Sequence, residues 1–525
     1  MNDQLHRVKD LSIHKGKRGI MKLVFGRTGI LMACIAIQCL LLGIGLQLLA
    51  ERLYVFFGGY LLFGFLLLIV IMNRNDNPAF QVSWAALVLL FPVFGGLLYL
   101  YIDIQPGTRM LGGRIEEIQQ KTGEYLYQDE ETGRQLAACD RRTAQLVNYI
   151  WKTDHYPVYR GTEVHYFPSG ESKFEELRKQ LCDAKKYIFL EYFIISEGCM
   201  WDSVLEILKA KVEEGVEVRV LYDGMNELYN LPHRYPEYLK GMGIRCKVFS
   251  PVYPVISTHY NNRDHRKIVV IDGHTAFTGG INLADEYINE KERFGHWKDA
   301  GIMLRGEAVR SFAVMFLRMW DISEKLENMA FYLKDWGEEP VRADGYVMPY
   351  AANPFGKERT AKRIYLDILN NAEQYVHIMS PYLVPDDEMM QALMYAARRG
   401  IDVKLILPHI PDKKYAFALA HSYYRRLMDA GVRIYEYTPG FIHSKVFVSD
   451  NIRAVVGAIN LDYRSLYLNF ECAVFLYGSA EIYSIEEDFR QTLPLCQLVT
   501  YFDIRHDKWT RRTAGKVLKL FAPLM

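Results

Sequence analysis

Histidine, lysine, aspartate, glycine and asparagine recur in one order at two places in this 525-residue chain. The first copy, "HRKIVVIDGHTAFTGGIN", carries His265, Lys267, Asp272, Gly279 and Asn282. The second, "HSKVFVSDNIRAVVGAIN", carries His443, Lys445, Asp450, Gly457 and Asn460, and its histidine lies 178 residues after the first. Each copy continues into an apolar, β-branched run that reads as a buried strand. Residues two apart on a strand point to the same side, so His265 shares a face with Lys267 and His443 with Lys445, while Arg266 and Ser444 face away. An imidazole, an ammonium and a nearby amide suit the gripping of a phosphate.

Two such sets allow chemistry as well as binding. Displacing an alcohol from a phosphodiester needs a nucleophile and a proton for the leaving oxygen, and two imidazoles on opposite sides of one phosphorus supply both. One attacks and becomes a phosphohistidine; the other protonates the leaving group and then deprotonates the incoming alcohol. Lys267 and Lys445, with Asn282 and Asn460 as phosphate-binding amides, stabilise charge on the non-bridging oxygens. Each copy brings one imidazole, which gives the duplication a chemical reason. The attacking nitrogen must be unprotonated, so the other ring nitrogen needs an orienting acceptor. Asp299, 34 residues after His265, and Glu471, 28 after His443, are the candidates, although a solvated surface carboxylate is the competing reading of each. Asp272 and Asp450 complete the catalytic motifs but stand at the far ends of the strands, where they are expected to tie down the turn. The sequence shows no carboxylate cluster suited to a metal, and the chemistry calls for no cofactor. His233, His259, His296, His409 and His421 lack the partner pattern; His259 is nevertheless placed to line the same cleft, and "PVYPVI" (251–256) reads as a loop at its mouth.

The elements that must position these residues also come in pairs. "CDAKKYIFLEYFII" (182–195) resembles "NNAEQYVHIMSPYLV" (370–384), a helix end running into a strand. "AKVEEGVEVRVLYDG" (210–224) resembles "AARRGIDVKLILPH" (396–409), where Gly215 or Gly400 closes a helix before another strand. "LKGMGIRCKVF" (239–249) resembles "LMDAGVRIYEY" (427–437). Helices alternating with apolar strands predict an α/β fold of two duplicated halves, 160–334 and 345–500, sharing one cleft.

Composition narrows the class. Lys+Arg number 63 against Asp+Glu 62, so a nucleic-acid partner is not expected. The eight cysteines form no CxxC pair, which indicates neither a zinc site nor a disulfide framework. Residues 28–50, 53–73 and 77–102 carry no charge, and each stretch is long enough to cross a hydrocarbon core of about 30 Å as a helix. Two or three transmembrane helices are therefore expected within 28–103, after a basic segment, 1–27, that holds seven Lys/Arg and two Asp and favours a cytoplasmic N-terminus. Pro92 and Gly95-Gly96 could kink the third stretch. Residues 104–159 read as a juxtamembrane connector with one or two helices. Residues 501–525, "RHDKWTRRTAGKVLKLFAPLM" included, mix basic and apolar positions and fit either a helix on an anionic membrane surface or one packed on the catalytic part.

The two H-x-K-x4-D blocks, each followed by G-x-x-N, resemble the paired signatures of the phospholipase D superfamily over residues 160–500. That resemblance implies two α/β halves, a shared cleft and a covalent phosphohistidine. "NRNDNPAFQVSWAALVLLFPVFGGLLYLY", "GGINLADEY", "HWKDAGIMLRG", "MSPYLVPDDEMMQAL" and "NLDYRSLYLNFE" are further similar to segments of bacterial cardiolipin synthases. This implies a multi-pass cell-membrane phosphatidyltransferase of phospholipid biosynthesis, joining two phosphatidylglycerols into cardiolipin with release of glycerol. Phosphatidylglycerol and other membrane phospholipids are its implied partners. By the same analogy His265 is the nucleophile and His443 the acid/base; the residues themselves leave the reverse open. The sequence departs from the family at Ala458, where a hydroxyl residue often stands, and in an additional apolar stretch within the first 50 residues. A membrane phospholipase D that hydrolyses to phosphatidic acid has the same motifs, because only the attacking group differs. The oligomeric state is not legible.

Overall fold

The computed structural model describes residues 36–41, 43–44, 53–74, 77–104, 106–232, 234–251, 261–333 and 343–524. The basic segment 1–27, most of 28–50, His233, His259 and most of "PVYPVI" lie outside the described residues. The chain divides into two compact units, one holding the described residues up to Arg109 and the other those from Met110 to Pro523.

In the larger unit the first half begins with β1 (Thr162–Phe167), β2 (Tyr187–Tyr192), β3 (Glu217–Asp223), β4 (Arg245–Phe249), β5 (Lys267–Ile271) and β6 (Thr275–Gly279). β7 (His296–Lys298) and β8 (Gly301–Gly306) follow. All but β7 form one sheet in the order β1-β8-β6-β5-β2-β3-β4, parallel across β2-β3-β4 and antiparallel elsewhere.

The second half supplies β9 (Tyr346–Ala352), β10 (Tyr375–Met379), β11 (Leu383–Val384), β12 (Asp402–Pro408), β13 (Arg433–Tyr437) and β14 (Gly440–Ile442). β15 (Val446–Ser449), β16 (Arg453–Gly457), β17 (Leu461–Asp462), β18 (Glu471–Tyr477) and β19 (Cys496–Leu498) complete it. Its sheet runs β9-β18-β16-β15-β10-β12-β13-β19. Strand for strand this is the first sheet again, with β19 added at one edge, so the expected duplication holds at the level of topology.

The central strands are buried on both faces, as their unbroken apolar runs require: every residue of "YIFLEY" (β2) and "KIVVI" (β5) is buried. Gly215 and Gly400 both take positive φ at the helix ends where the sequence placed them. The helix Val309–Trp320 is buried at every residue but Arg310, and its buried Arg318 is satisfied by donating to the Thr122 hydroxyl at 2.8 Å. The sheets meet in the middle of the unit, where Thr278 Oγ1 on β6 lies 3.4 Å from Cys472 Sγ on β18.

Three helices, Pro106–Lys121, Glu130–Cys139 and Arg141–Asp154, occupy the stretch read as a connector. From Met110 onward they belong to the larger unit. The reason is polar as well as apolar: Arg453 on β16 pairs with Asp140 at 2.5 Å, and the Tyr149 hydroxyl donates to Glu358 at 2.5 Å.

The smaller unit contains α1 (Leu53–Met72), α2 (Pro78–Leu90) and α3 (Pro92–Ile104). The third apolar stretch is thus interrupted, and a new helix starts at Pro92, because a proline ring is accepted in the first turn of a helix and not in its interior. Asn77 caps α2 by accepting from the Ala79 N–H at 2.9 Å. Leu67, Ile71, Val88 and Tyr99 form the packed seam, while Leu61, Leu62, Phe65 and Leu66 are exposed. Among the described residues no helix is long and apolar enough to cross a membrane. The backbone of α1 runs twenty residues, with side chains described for the fifteen from Gly58 to Met72.

Near the C-terminus α4 (Trp509–Phe521) packs on the helix Lys414–Met428. Gly515 is its contact point: a Cβ there would stand 2.4 Å from the Ala418 carbonyl oxygen. Arg511 and Lys519 lie over the rings of Phe417 and Tyr423. Trp509 and Val517 remain exposed.

Candidate active site

His265 and His443 stand just before β5 and β15, and each is held by the opposite half. The His265 N–H donates to the Phe470 carbonyl at 2.9 Å, and the His443 N–H to the Lys298 carbonyl at 2.6 Å. A short parallel pairing of β7 with β14, and a bridge between Asp264 and Phe470, make the same exchange in the backbone. The residue after each accepting carbonyl is an acid. Glu471 Oε2 therefore lies 2.8 Å from His265 Nδ1, and Asp299 Oδ2 lies 2.7 Å from His443 Nδ1. Both acids chosen from the sequence serve the histidines, and each serves the histidine of the other half. The arrangement leaves Nε2 of both rings for chemistry.

Lys267 Nζ donates to the His265 carbonyl at 2.6 Å, and Lys445 Nζ to the His443 carbonyl while lying 2.7 Å from His443 Nδ1. His265, Lys267, His443, Lys445, Asp299 and Glu471 are all buried. Burial, with Lys267 and Lys445 next in effect, holds the His265 imidazole well below its ordinary value. Burial and then Lys445 push His443 down to about 4. Burial likewise lowers Lys267 to about 8 and Lys445 to about 7. The two acids part company. Burial raises Glu471 well above the usual carboxylate range despite Lys267. For Asp299 burial acts in the same direction, but His443 and Lys445 outweigh it and bring the carboxyl below its ordinary value. The acids behind the two histidines are thus pushed in opposite directions.

Gly280 and Ala458 are equivalent: the Gly280 N–H donates to the Ala300 carbonyl at 3.0 Å, the Ala458 N–H to the Cys472 carbonyl at 2.9 Å. A Cβ at Gly280 would stand 2.1 Å from Asp299 Oδ1. The turn beside Asp299 thus requires a residue without a side chain.

Asp272 and Asp450 do not reach the histidines. Seven residues of extended strand, about 23 Å, separate each from its histidine. Asp272 accepts the N–H groups of Lys185, Lys186 and Tyr187 at 2.7–2.8 Å, and Asp450 those of Glu373, Gln374 and Tyr375 at 2.9 Å. Both take positive φ, and the two aspartates lock the turns at the far ends of the strands, as expected there. Asn282 is committed to the scaffold as well: its Oδ1 accepts from Ile194 N–H at 3.0 Å and its Nδ2 donates to the Tyr287 hydroxyl at 2.7 Å. Asn460 differs, with a buried Oδ1 that takes no hydrogen bond.

Aromatic rings that spacing did not single out surround the imidazoles. Phe193 lies 5.0 Å from His265, and Trp297 and Tyr287 lie 5.3 and 5.5 Å from His443. His296 meets the Tyr437 hydroxyl at 2.9 Å, and His409 and His421 both reach Glu436, so these three act in packing.

Comparison with known proteins agrees with this geometry. A family model described as cardiolipin synthase, PLD-like domain, matches residues 177–320 and 365–493. The chain is 50% identical over 455 residues to an uncharacterized protein of Streptococcus mutans, covering 87% of this chain and 98% of the relative. It is 32% identical over 461 residues to a cardiolipin synthase of Geobacillus kaustophilus, covering 87% and 91%. Among solved structures, phosphatidylserine synthase of Haemophilus influenzae is similar with a TM-score of 0.55 at 14% identity, over 73% of this chain and 98% of that one, which shows a common fold.

Proposed function

Because the chain belongs to the cardiolipin synthase family of phospholipase D-like phosphatidyltransferases, we propose that it condenses two phosphatidylglycerols into cardiolipin and glycerol through a phosphohistidine. The observation that carries this reading is the crossed pair His265–Glu471 and His443–Asp299, which fixes two buried imidazoles by Nδ1 and frees both Nε2 atoms.

His265, oriented by Glu471 through Nδ1 and with its imidazole pushed well below the ordinary value, suits the nucleophile. Its Nε2 forms the bond to phosphorus as the bond to the glycerol oxygen breaks. His443 rests against an ionised Asp299, which stabilises an imidazolium once the phosphodiester brings negative charge into the cleft. It gives its proton to the departing glycerol oxygen. In the second step His443 takes the proton from the hydroxyl of another phosphatidylglycerol, the new P–O bond forms and His265 leaves. Lys267 and Lys445 oppose the charge on the non-bridging oxygens, and Asn460 is the amide better placed to help.

A membrane setting follows from the same substrate. The sequence carries three charge-free stretches, 28–50, 53–73 and 77–102, and the exposed Leu61, Leu62, Phe65 and Leu66 of α1 suit lipid contact. We place the enzyme in the cell membrane as a multi-pass protein on these grounds. Lipid analysis after reconstitution with labelled phosphatidylglycerol tests the function: cardiolipin is expected, whereas phosphatidic acid alone would identify a hydrolase.

A further inference from the structure

The reaction proposed above sets a requirement that the histidine motifs do not meet. The acceptor is itself a phosphodiester anion, one glycerol unit away from the hydroxyl that attacks. Two like charges must therefore come together in a cleft poor in water, where their repulsion is weakly screened. Water or free glycerol as acceptor makes no such demand. An enzyme that selects an anionic lipid needs a further cation beside the reacting centre, outside the pair of lysines that grip the transferred phosphate.

The second half has a cation in that place. β15 runs antiparallel to β10, with Met379 opposite Val446, so the end of β10 and the start of the segment after His443 lie at one edge of the sheet. The chain leaving β10 carries Tyr382, which immediately precedes β11. β11 pairs in parallel with β17, Leu383 opposite Leu461, which puts Tyr382 level with Asn460. Lys413, on the loop leaving the C-terminal end of β12, donates its ammonium to the Tyr382 hydroxyl at 2.8 Å. A cavity lined by Tyr382, Lys413, Phe417 and Phe441 opens there, and the Phe441 ring is 5.8 Å from that of His443.

The charge of Lys413 is shared with two acids, the adjacent Asp412 and also Asp462, on which it acts. Asp412 is 3.6 Å from it, and the Asp412 carboxylate already accepts the Tyr382 hydroxyl at 2.5 Å. One of the three ammonium protons is used, and the side chain is half exposed. Lys413 also acts at a distance on His265, whose imidazole it helps to hold neutral after burial, Lys267, Lys445 and His443.

We propose that Lys413, positioned by Tyr382, binds the phosphodiester of the acceptor phospholipid and so directs the phosphohistidine toward an anionic lipid alcohol rather than water or glycerol. Phosphatidylglycerol approaches with its phosphate on Lys413 and its terminal hydroxyl at His443. The Asn460 amide, level with Tyr382, closes the site on the side of the transferred phosphate. This inference rests on the phosphatidyltransferase reading and names the group that selects its second substrate.

The test uses full-length protein in phosphatidylglycerol vesicles supplied with labelled glycerol. Cardiolipin formation reports lipid as acceptor; label entering phosphatidylglycerol reports glycerol; phosphatidic acid reports water. Lys413→Ala and Lys413→Gln are expected to lower the ratio of cardiolipin to the other two products by about tenfold, and Lys413→Arg to restore most of it. A ratio that stays at the wild-type value in both variants, whether total turnover holds or collapses, overturns the proposal. Wild-type protein that turns over no phosphatidylglycerol at all removes the underlying reading instead.

Discussion

His265 of the first half and Glu471 of the second are joined at 2.8 Å, and His443 and Asp299 repeat the contact in the opposite sense at 2.7 Å. Each half therefore supplies one histidine and the acid that orients the histidine of the other. Burial pushes Glu471 well above the usual carboxylate range, whereas His443 and Lys445 hold Asp299 below it, so the two acids are driven in opposite directions. Glu471→Gln keeps the shape and an acceptor oxygen for His265 Nδ1 and is expected to cost less than about tenfold in turnover. Asp299→Asn removes the charge that supports an imidazolium and is expected to cost about 10³-fold or more. Steady-state assay of both variants checks this; equal losses would show that the acids do not differ.

The Gly280–Asp299 contact gives a steric counterpart. Gly280→Ala places a methyl 2.1 Å from Asp299 Oδ1, so the carboxylate must leave His443 or the turn must shift. Activity is expected to fall by at least about 10²-fold. Ala458→Gly at the equivalent turn opens space beside the longer Glu471 and should cost only about 1 kcal/mol of stability, with activity within a few fold of wild type. If the alanine variant at 280 were as active as wild type, the turn would have no part in orienting the acid.

Stability should follow the buried histidines. His443 titrates near 4 in the folded protein against 6.5 when free. A depressed histidine means that the unfolded chain binds more protons between those values, so stability rises with pH across about 4 to 6.5 and is lost on going down. The contribution is about 3 kcal/mol, and His265 adds to it in the same direction. Thermal melts between pH 4 and 7 should climb over this window, and His443→Asn should flatten the climb. An unchanged slope in the variant would place the titration elsewhere.

Much of this site was legible before any coordinates. Spacing found both histidines and lysines because a two-residue period on a strand is a local rule. The repeat of helix-glycine-strand units gave the two halves, and their sheets share one strand order. The pairing of acids across the halves was not legible: it depends on Phe470 and Lys298 accepting from the histidine backbones, contacts between residues some 140 to 210 positions apart. Asn282 looked equivalent to Asn460, yet Tyr287, five residues on, claims its amide. Lys413 carried no signal, since a lone lysine before a helix resembles any surface cation until the strands bring it level with Tyr382. The tail's mixed basic and apolar pattern fitted two readings, and Gly515 against Ala418 accounts for the packed one.

The most direct measurement is the identity of the residue that carries the covalent phosphatidyl group. Wild-type protein, in which His443 can protonate the departing glycerol, is incubated with labelled phosphatidylglycerol, quenched under base within the first turnovers and digested for peptide mass spectrometry. The expected result is a phosphatidyl adduct on the peptide containing His265, absent from His265→Asn protein treated in the same way. Adduct on a residue other than these two histidines, or full cardiolipin synthesis by His265→Asn, would contradict the two-imidazole mechanism.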